Sequence, residues 1–151
     1  MELDDTDRAI LRELQQNART PFSEIARRID MSSATVHDRV KRMEEAGVIR
    51  GYHAEVEPSA LGLEIEALVG LRIEQGSADR MLERLQDVEA VQEVVLVTGE
   101  WDAIMRIVAK STDELRELMF DRIANIEGFD RSQTMVVLGH EIDSNELPMD
   151  A

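Results

Sequence analysis

Residues 19–52, RTPFSEIARRIDMSSATVHDRVKRMEEAGVIRGY, predict two short helices joined by a tight turn and followed by a short strand. Thr20 is a good N-cap for the first helix, and Pro21 suits the first helical position, where the amide hydrogen that proline lacks would have no partner. Asp30 tolerates the left-handed backbone that a tight turn needs. A glycine ends the second helix, and residues 48–52 start the strand. This order is that of a winged helix-turn-helix.

The second helix has an apolar face and a hydrogen-bonding face. Ser32 or Ser33 caps it. Val36, Val40 and Met43 point inward at about 100° per residue. The other side offers groups that could reach base edges and phosphates in a major groove. The predicted DNA-binding residues are Thr20, Ser32, Ser33, Thr35, His37, Asp38, Arg39, Lys41 and Arg42. A small helical hairpin with a solvated polar face is the alternative interpretation.

The charge of the 151-residue chain is strongly negative but unevenly distributed. Its formal net charge is −15, which taken alone argues against a polyanionic partner. Residues 19–51, however, hold seven Lys and Arg against five Asp and Glu, whereas residues 58–151 hold eight against twenty. The helix-turn-helix is therefore weakly basic, whereas residues 58–151 are strongly acidic. Only Lys41 and Lys110 are lysines, and such acidity is tolerated in molar salt, so we expect a halophilic source. An ordinary acidic protein is the alternative.

Composition also narrows the classes of function. The sequence contains no Cys, no apolar run that could span a membrane and no signal peptide, so we expect a cytoplasmic protein without disulfides. The three histidines are scattered, no metal-ligand spacing occurs, and no nucleophile is placed beside a base. We therefore predict no catalytic residues, no metal and no cofactor, and an enzyme is the least favoured class.

The rest of the chain completes two domains and a tail. Residues 4–16 predict an amphipathic first helix with Ile10, Leu11 and Leu14 on its inward face. The expected divisions are a DNA-binding domain at residues 1–56, a linker at 57–63, a second domain at 64–141, and a flexible acidic tail at 142–151.

The second domain alternates strand and helix patterns in the order βαββαβ. Strands are predicted at 65–74, 91–98, 102–109 and 131–140, and helices at 78–87 and from the capping box Ser111–Glu114 to Gly128. This order is that of a ferredoxin-like domain, so the expected fold class is α+β. Right-handed crossovers place the first and third strands in the centre of an antiparallel sheet.

These strands are apolar on both faces. In an antiparallel sheet with one face in water, apolar and polar residues alternate along each strand. Two helices cover one face, and a large bare apolar patch is not tolerated on a monomer. The simplest cover for the other face is the same face of a second copy, which gives a homodimer. A monomer with a mildly apolar sheet face is the alternative.

Several stretches of the chain together resemble the Lrp/AsnC family of transcription regulators. The matching residues are Leu3-Asp4, Asp7, Ile10-Leu11, 18–20, 24–26, 32–39, 44–49, Gly51-Tyr52, Leu61-Gly62 and 97–102. The resemblance implies a DNA-binding regulator that forms dimers or higher oligomers, up to octamers. It also implies an amino-acid effector bound between dimers.

By position, the effector-binding turn of that family corresponds to residues 97–102 here. The resemblance implies effector contacts at Gly99, Trp101 and Asp102, with Ser132 and Thr134 as candidate neighbours. Backbone at Gly99 lets a ligand approach closely, and Asp102 could pair with an α-ammonium group. The plainer alternative is that Gly99 only makes a hairpin turn and Asp102 only caps it.

One residue departs from the pattern of that family. Asp38 lies on the outward face of the second helix, where family members often carry a basic or neutral residue. It could accept a hydrogen bond from a cytosine amine. It also favours the competing hypothesis, an amino-acid-binding or interaction module whose helix-turn-helix does not bind DNA.

Overall fold

In the computed structural model, the chain is described for residues 1–142, 144 and 146–149 and divides into two units. The first unit holds residues 1–55 and the described residues of the C-terminal segment from Ile142, and the second holds Val56–Glu141. No helix in the described residues is both long enough and apolar enough to cross a membrane.

Three helices make up the first unit: α1 (Asp5–Gln16), α2 (Phe22–Arg28) and α3 (Ser33–Glu45). A capping box starts α1, because the Asp4 carboxylate accepts from the amide of Asp7 and the Asp7 carboxylate accepts from that of Asp4. The helices enclose one apolar core, which contains Ile10, Leu14, Ile25, Ala26, Val36, Val40 and Met43. The inward faces predicted for α1 and α3 are therefore confirmed.

Two details of the predicted helix-turn-helix are wrong. Helix α2 begins at Phe22 with Pro21 in the N-cap position, so Thr20 lies one residue before the cap and is buried. The predicted strand at residues 48–52 does not form within the described chain. The amides of Val48 and Ile49 instead donate to the Met43 carbonyl and close the end of α3. A strand needs a partner, and the four strands found in the described residues pair with one another.

The second unit is a four-stranded antiparallel sheet with helices on one side. Its elements are a short 3-10 helix (Pro58–Leu61), β1 (Ile65–Ile73), α4 (Ala78–Gln86), β2 (Val91–Leu96), β3 (Ala103–Ala109), α5 (Thr112–Glu117) and β4 (Phe129–Val136). The strand order is β2-β3-β1-β4, so the first and third strands are central as predicted. The ferredoxin-like expectation is confirmed.

The last strand and the last helix differ from their predicted bounds. Strand β4 runs from Phe129 to Val136 rather than from 131 to 140, because β1 offers few residues beyond Ala67, the partner of Val136. Helix α5 gives way to a π turn at Leu118–Arg122 and a 3-10 turn. In the π turn the Ile123 amide donates to carbonyls of the preceding turn, and Ile123 is still buried.

The core of the second unit lies between the sheet and its helices. Its buried side chains are Ala67, Val69, Leu71, Met81, Leu85, Val88, Ala103, Met105, Ile107, Ala109, Leu115, Leu118, Met119 and Ile123. The other sheet face, which we call the open face, presents Leu68, Val95 and Met135, whose exposed fractions are 37%, 47% and 42%. Arg106 also lies on this face, near the carboxylates of Glu66 and Glu93, so the face is only partly as apolar as the two-sided strand pattern predicts.

The predicted flexible tail at 142–151 falls partly outside the described residues. In its described part, the Gln15 side chain exchanges two hydrogen bonds with the backbone of Leu147, at 2.8 and 3.1 Å. Arg8 donates to the Met149 carbonyl at 2.8 Å. These described residues therefore lie along α1.

Candidate functional site

The turn between α2 and α3 fixes the start of the proposed recognition helix. Asp30 adopts the left-handed conformation, with a φ of 56°, as predicted. The amide of Met31 donates to the Ala26 carbonyl at 2.8 Å and closes the turn. Of the two serines, Ser32 is the cap, since its Oγ accepts from the Thr35 amide at 3.0 Å and lies 2.8 Å from the Thr35 hydroxyl.

The outer face of α3 is polar and exposed. Ser33, His37, Asp38 and Lys41 are exposed, and Thr35 is half-buried beside its cap. The His37 ring packs edge-on against the ring of Phe22, with centroids 6.1 Å apart. These side chains can donate to and accept from base edges, while the opposite face of α3 is anchored in the core.

Two predicted DNA-binding residues of α3 are held by the carboxylates at the start of α1. Arg39 donates to the carboxylates of Asp4 and Asp7 at 2.7 and 2.8 Å. Arg42 donates to both Asp7 oxygens at 3.1 and 3.0 Å. The hydrogen bond that Arg39 donates lowers the pKa of Asp4, and the hydrogen bonds that Arg39 donates to Asp4 and then to Asp7 raise the pKa of Arg39. The four charges form one set that joins α1 to α3.

Sequence reasoning did not find the roles of Asp4 and Asp7. Both match the family pattern; Asp4 is the N-cap of α1, and Asp7 lies in the acidic first turn that a helix dipole favours. The signal that was available is their spacing, which makes a capping box. That Asp7 is fully buried depends on two arginines more than thirty residues away.

The turn at residues 97–102 holds its aspartate by internal contacts. The Asp102 carboxylate accepts from the Ile73 amide and from Arg72, both at 2.9 Å. These donors, Ile73 first, hold the pKa of Asp102 below its ordinary value, although partial burial opposes them. The Asp102 amide also donates to the Leu71 carbonyl at 2.9 Å. Asp102 therefore ties the turn to the end of β1.

Trp101 lies flat against the open face of the sheet. A Cβ atom added to Gly70 would stand 2.5 Å from the Trp101 ring, so only glycine lets the ring approach this closely. The Arg131 guanidinium carbon lies 5.3 Å from the ring centroid, which is within cation–π range. Gly99 has a φ of 119° and makes the turn before Trp101.

Within the chain, the five predicted effector residues do not form one site. Ser132 pairs with Leu71 and Thr134 pairs with Val69 across the β1–β4 ladder. Directly opposed residues point to the same face, so both lie on the helix side of the sheet. There they line a groove of about 560 Å³ beside α5. Trp101 lies on the open face.

The β4 residues on the same face as Trp101 are those that pair with the open-face residues of β1. Arg131 pairs with Arg72, and Gln133 pairs with Gly70. Sequence reasoning missed Arg131 because a one-residue change of register exchanges the faces. In the described part of the chain, no three carboxylate, imidazole or thiol groups are placed to hold a metal ion.

Two family models match the chain. One, described as winged helix-turn-helix DNA-binding, matches residues 3–50, and the other, described as the Lrp/AsnC ligand binding domain, matches residues 66–147. The HTH-type transcriptional regulator FL11 of Pyrococcus furiosus is 33% identical to this chain over 97% of both proteins. The regulatory protein AsnC of Escherichia coli is 30% identical over 93% of both.

Solved structures show the same architecture. Escherichia coli AsnC superposes with a TM-score of 0.89 at 30% identity and covers 98% of this chain and 100% of its own. A Neisseria meningitidis transcriptional regulator in complex with L-methionine has a TM-score of 0.93 at 24% identity and covers 99% of this chain and 98% of its own. At this identity, the likeness to the Neisseria meningitidis protein is evidence for the fold alone.

Proposed function

Since this chain belongs to the Lrp/AsnC family of DNA-binding transcriptional regulators, we propose that it reads DNA through the outer face of α3 and senses an amino acid at the turn of residues 97–102. The observation that carries the first part is the exposed face of His37, Asp38 and Lys41 on a helix whose other face is anchored in the core. The protein would act in the cytoplasm, where its DNA target lies.

The outer residues of α3 divide by chemistry. Thr35 and His37 can form directional hydrogen bonds with base edges, whereas Lys41 carries a mobile ammonium group suited to phosphates. Asp38 is suited to a cytosine amine. Thr20 is buried, and the Ser32 hydroxyl caps α3. We therefore assign both residues to supporting the helix-turn-helix and not to contacting the groove.

Enrichment of duplexes from a random-sequence pool in molar KCl tests this proposal. We expect the full-length protein to enrich one motif, Thr35→Ala and His37→Ala to alter that motif, and Lys41→Ala to weaken all duplexes about equally. Failure to enrich any motif would favour the alternative function, an amino-acid-binding module without DNA recognition, which Asp38 and the acidic surface support.

The effector proposal changes in light of the contacts of Asp102. Because two donors already satisfy its carboxylate, we assign Asp102 to holding the turn in place. The backbone at Gly99 and the ring of Trp101 stay as the contact surface for the ligand. Ser132 and Thr134 would join them only from a second copy of the chain.

A panel of amino acids tests this part through Trp101, the single tryptophan. One or a few amino acids should change its fluorescence and shift DNA affinity by about 5- to 150-fold, the usual size of such coupling. We expect Asp102→Ala to abolish this response because the turn loses its anchor. A panel that changes neither fluorescence nor melting temperature would identify a regulator without an effector.

We also propose a homodimer, assembled through the open face, and a haloarchaeal source. The dimer would cover Leu68, Val95 and Met135. The source rests on a net charge of −15 with two lysines, so the melting temperature should rise steeply from dilute buffer to molar KCl.

A further inference from the structure

A buried carboxylate lies behind the proposed recognition helix. The Asp7 side chain on α1 is 1% exposed, and its oxygens accept from Arg39, from Arg42 and from the amide of Asp4. A buried charge is costly unless partners surround it. Here two of the partners come from α3, the helix that would enter the groove.

The two arginines use this carboxylate differently. The Arg39 side chain is 23% exposed, and its Nη1 is shared between Asp4 and Asp7. The Arg42 side chain is 55% exposed, and its bonds to Asp7 both leave from Nη2. Among the contacts of the described residues, Nη1 and Nε of Arg42 are thus left for an acceptor outside the protein.

We propose that Asp7 is a positioning residue that orients Arg42 to bind a DNA phosphate. The inference rests on the proposed DNA-binding function and names how one contact is built. A guanidinium is a rigid planar fork, so fixing one nitrogen on Asp7 fixes the direction of the remaining N–H groups. An arginine held in this way loses less side-chain entropy when it binds phosphate.

Lys41 offers an internal comparison. Its ammonium lies 3.8 Å from the exposed Glu45 carboxylate, a loose pair on the surface of the same helix. It can approach a phosphate but has no buried group to set its direction. The structure therefore assigns the fixed phosphate contact to Arg42 and the mobile one to Lys41.

A double-mutant cycle on the full-length protein tests the assignment. The variants are Asp7→Asn, Arg42→Gln and their combination, measured on a duplex that the wild-type protein enriches from a random-sequence pool. Each single variant should weaken binding on the order of tenfold, as expected for a charged hydrogen bond. The double variant should be no weaker than Arg42→Gln alone, because Asp7 acts through Arg42.

The salt dependence of binding gives a second readout that a purely structural role would not move. Loss of one phosphate contact should reduce the slope of log affinity against log salt by about 0.9 in all three variants. Asp4→Asn is the matched control, since it removes a partner of Arg39 and leaves the Asp7–Arg42 pair, so its slope should equal that of the wild type. Thermal unfolding monitors the fold.

Three outcomes overturn the inference, and one of them also overturns the proposed function. Additive losses in the double variant would show that Asp7 acts through the fold and not through Arg42. If Asp7→Asn does not fold, the test rests on the slope of log affinity against log salt for Arg42→Gln. A slope equal to that of the wild type would mean that Arg42 does not bind phosphate. If the wild type enriches no duplex, the DNA-binding proposal fails and this inference fails with it.

Discussion

Gly70 is the residue that most narrowly limits substitution on the open face, because the Trp101 ring occupies the space of a side chain. We expect Gly70→Ala to push the ring away, to lower the free energy of unfolding by about 1–3 kcal/mol and to change the tryptophan emission. Gly139→Ala is the control, since a Cβ there meets nothing within 4 Å. Equal effects in denaturant unfolding of the two variants would contradict the packing described here.

Asp102 should make stability depend on pH in the acid range. Its pKa is lower in the folded chain than the ordinary value of 3.8, because the Ile73 amide and Arg72 donate to the ionised form. A lowered pKa stabilises the fold above the unfolded value, and the contribution disappears as the pH falls through the folded value. In urea unfolding, the wild type should therefore have a higher free energy of unfolding than Asp102→Asn at neutral pH. This difference should shrink below pH 3.8.

Glu100→Gln is the matched control at neutral pH, because it removes an exposed carboxylate from the same turn. It should unfold at the same urea concentration as the wild type. A difference between wild type and Asp102→Asn that does not change with pH would mean that the Ile73 amide and Arg72 do not favour the ionised form of Asp102.

At the residue scale, local chemistry was predictable and distant pairing was not. The left-handed Asp30 and the capping Ser32 follow from neighbours within three residues. Asp7 and Asp102 accept hydrogen bonds from residues about thirty positions away. The sequence therefore could not predict that these carboxylates already have partners.

At the scale of elements, the order of the four sheet strands was predicted, but the lack of a strand at residues 48–52 and the face of Ser132 and Thr134 were not. The order β2-β3-β1-β4 follows from the handedness of crossovers. The face of Ser132 depends on the β1–β4 register, which also shifts between Arg72 and Ile73. Periodicity cannot fix a register, because a slip of one residue exchanges the faces and leaves the pattern unchanged.

The cap of α3 is the element-scale feature most open to measurement. We expect Ser32→Ala to lower the free energy of unfolding by about 1 kcal/mol, since the Thr35 amide and hydroxyl both lose a partner. Ser33→Ala is the matched control, because Ser33 is exposed one residue inside the helix. If urea unfolding shows the same loss for both, the cap assigned to Ser32 is wrong.

At the scale of the whole molecule, the exposed apolar side chains of the open face predict self-association. Val95 pairs with Ile104 on that face and is 47% exposed. Val95→Asp should place a charge in the dimer interface and give a monomer of 17.1 kDa in light scattering, because a buried unpaired charge is costly. Phe120→Asp, at an exposed site beside the groove of α5, should leave the dimer intact. A wild type that is itself monomeric would end the proposal.

The scarcity of lysine gives the molecule a chemical handle. Lys41 lies on the outer face of α3, and Lys110 is exposed between β3 and α5 in the other unit. An amine-acylating reagent therefore has two side chains to modify, one on the helix expected to contact DNA and one in the other unit. Bound duplex should slow acylation of Lys41 and leave that of Lys110 unchanged, so that the ratio of the two labelled peptides in a mass spectrum reports occupancy within a single sample.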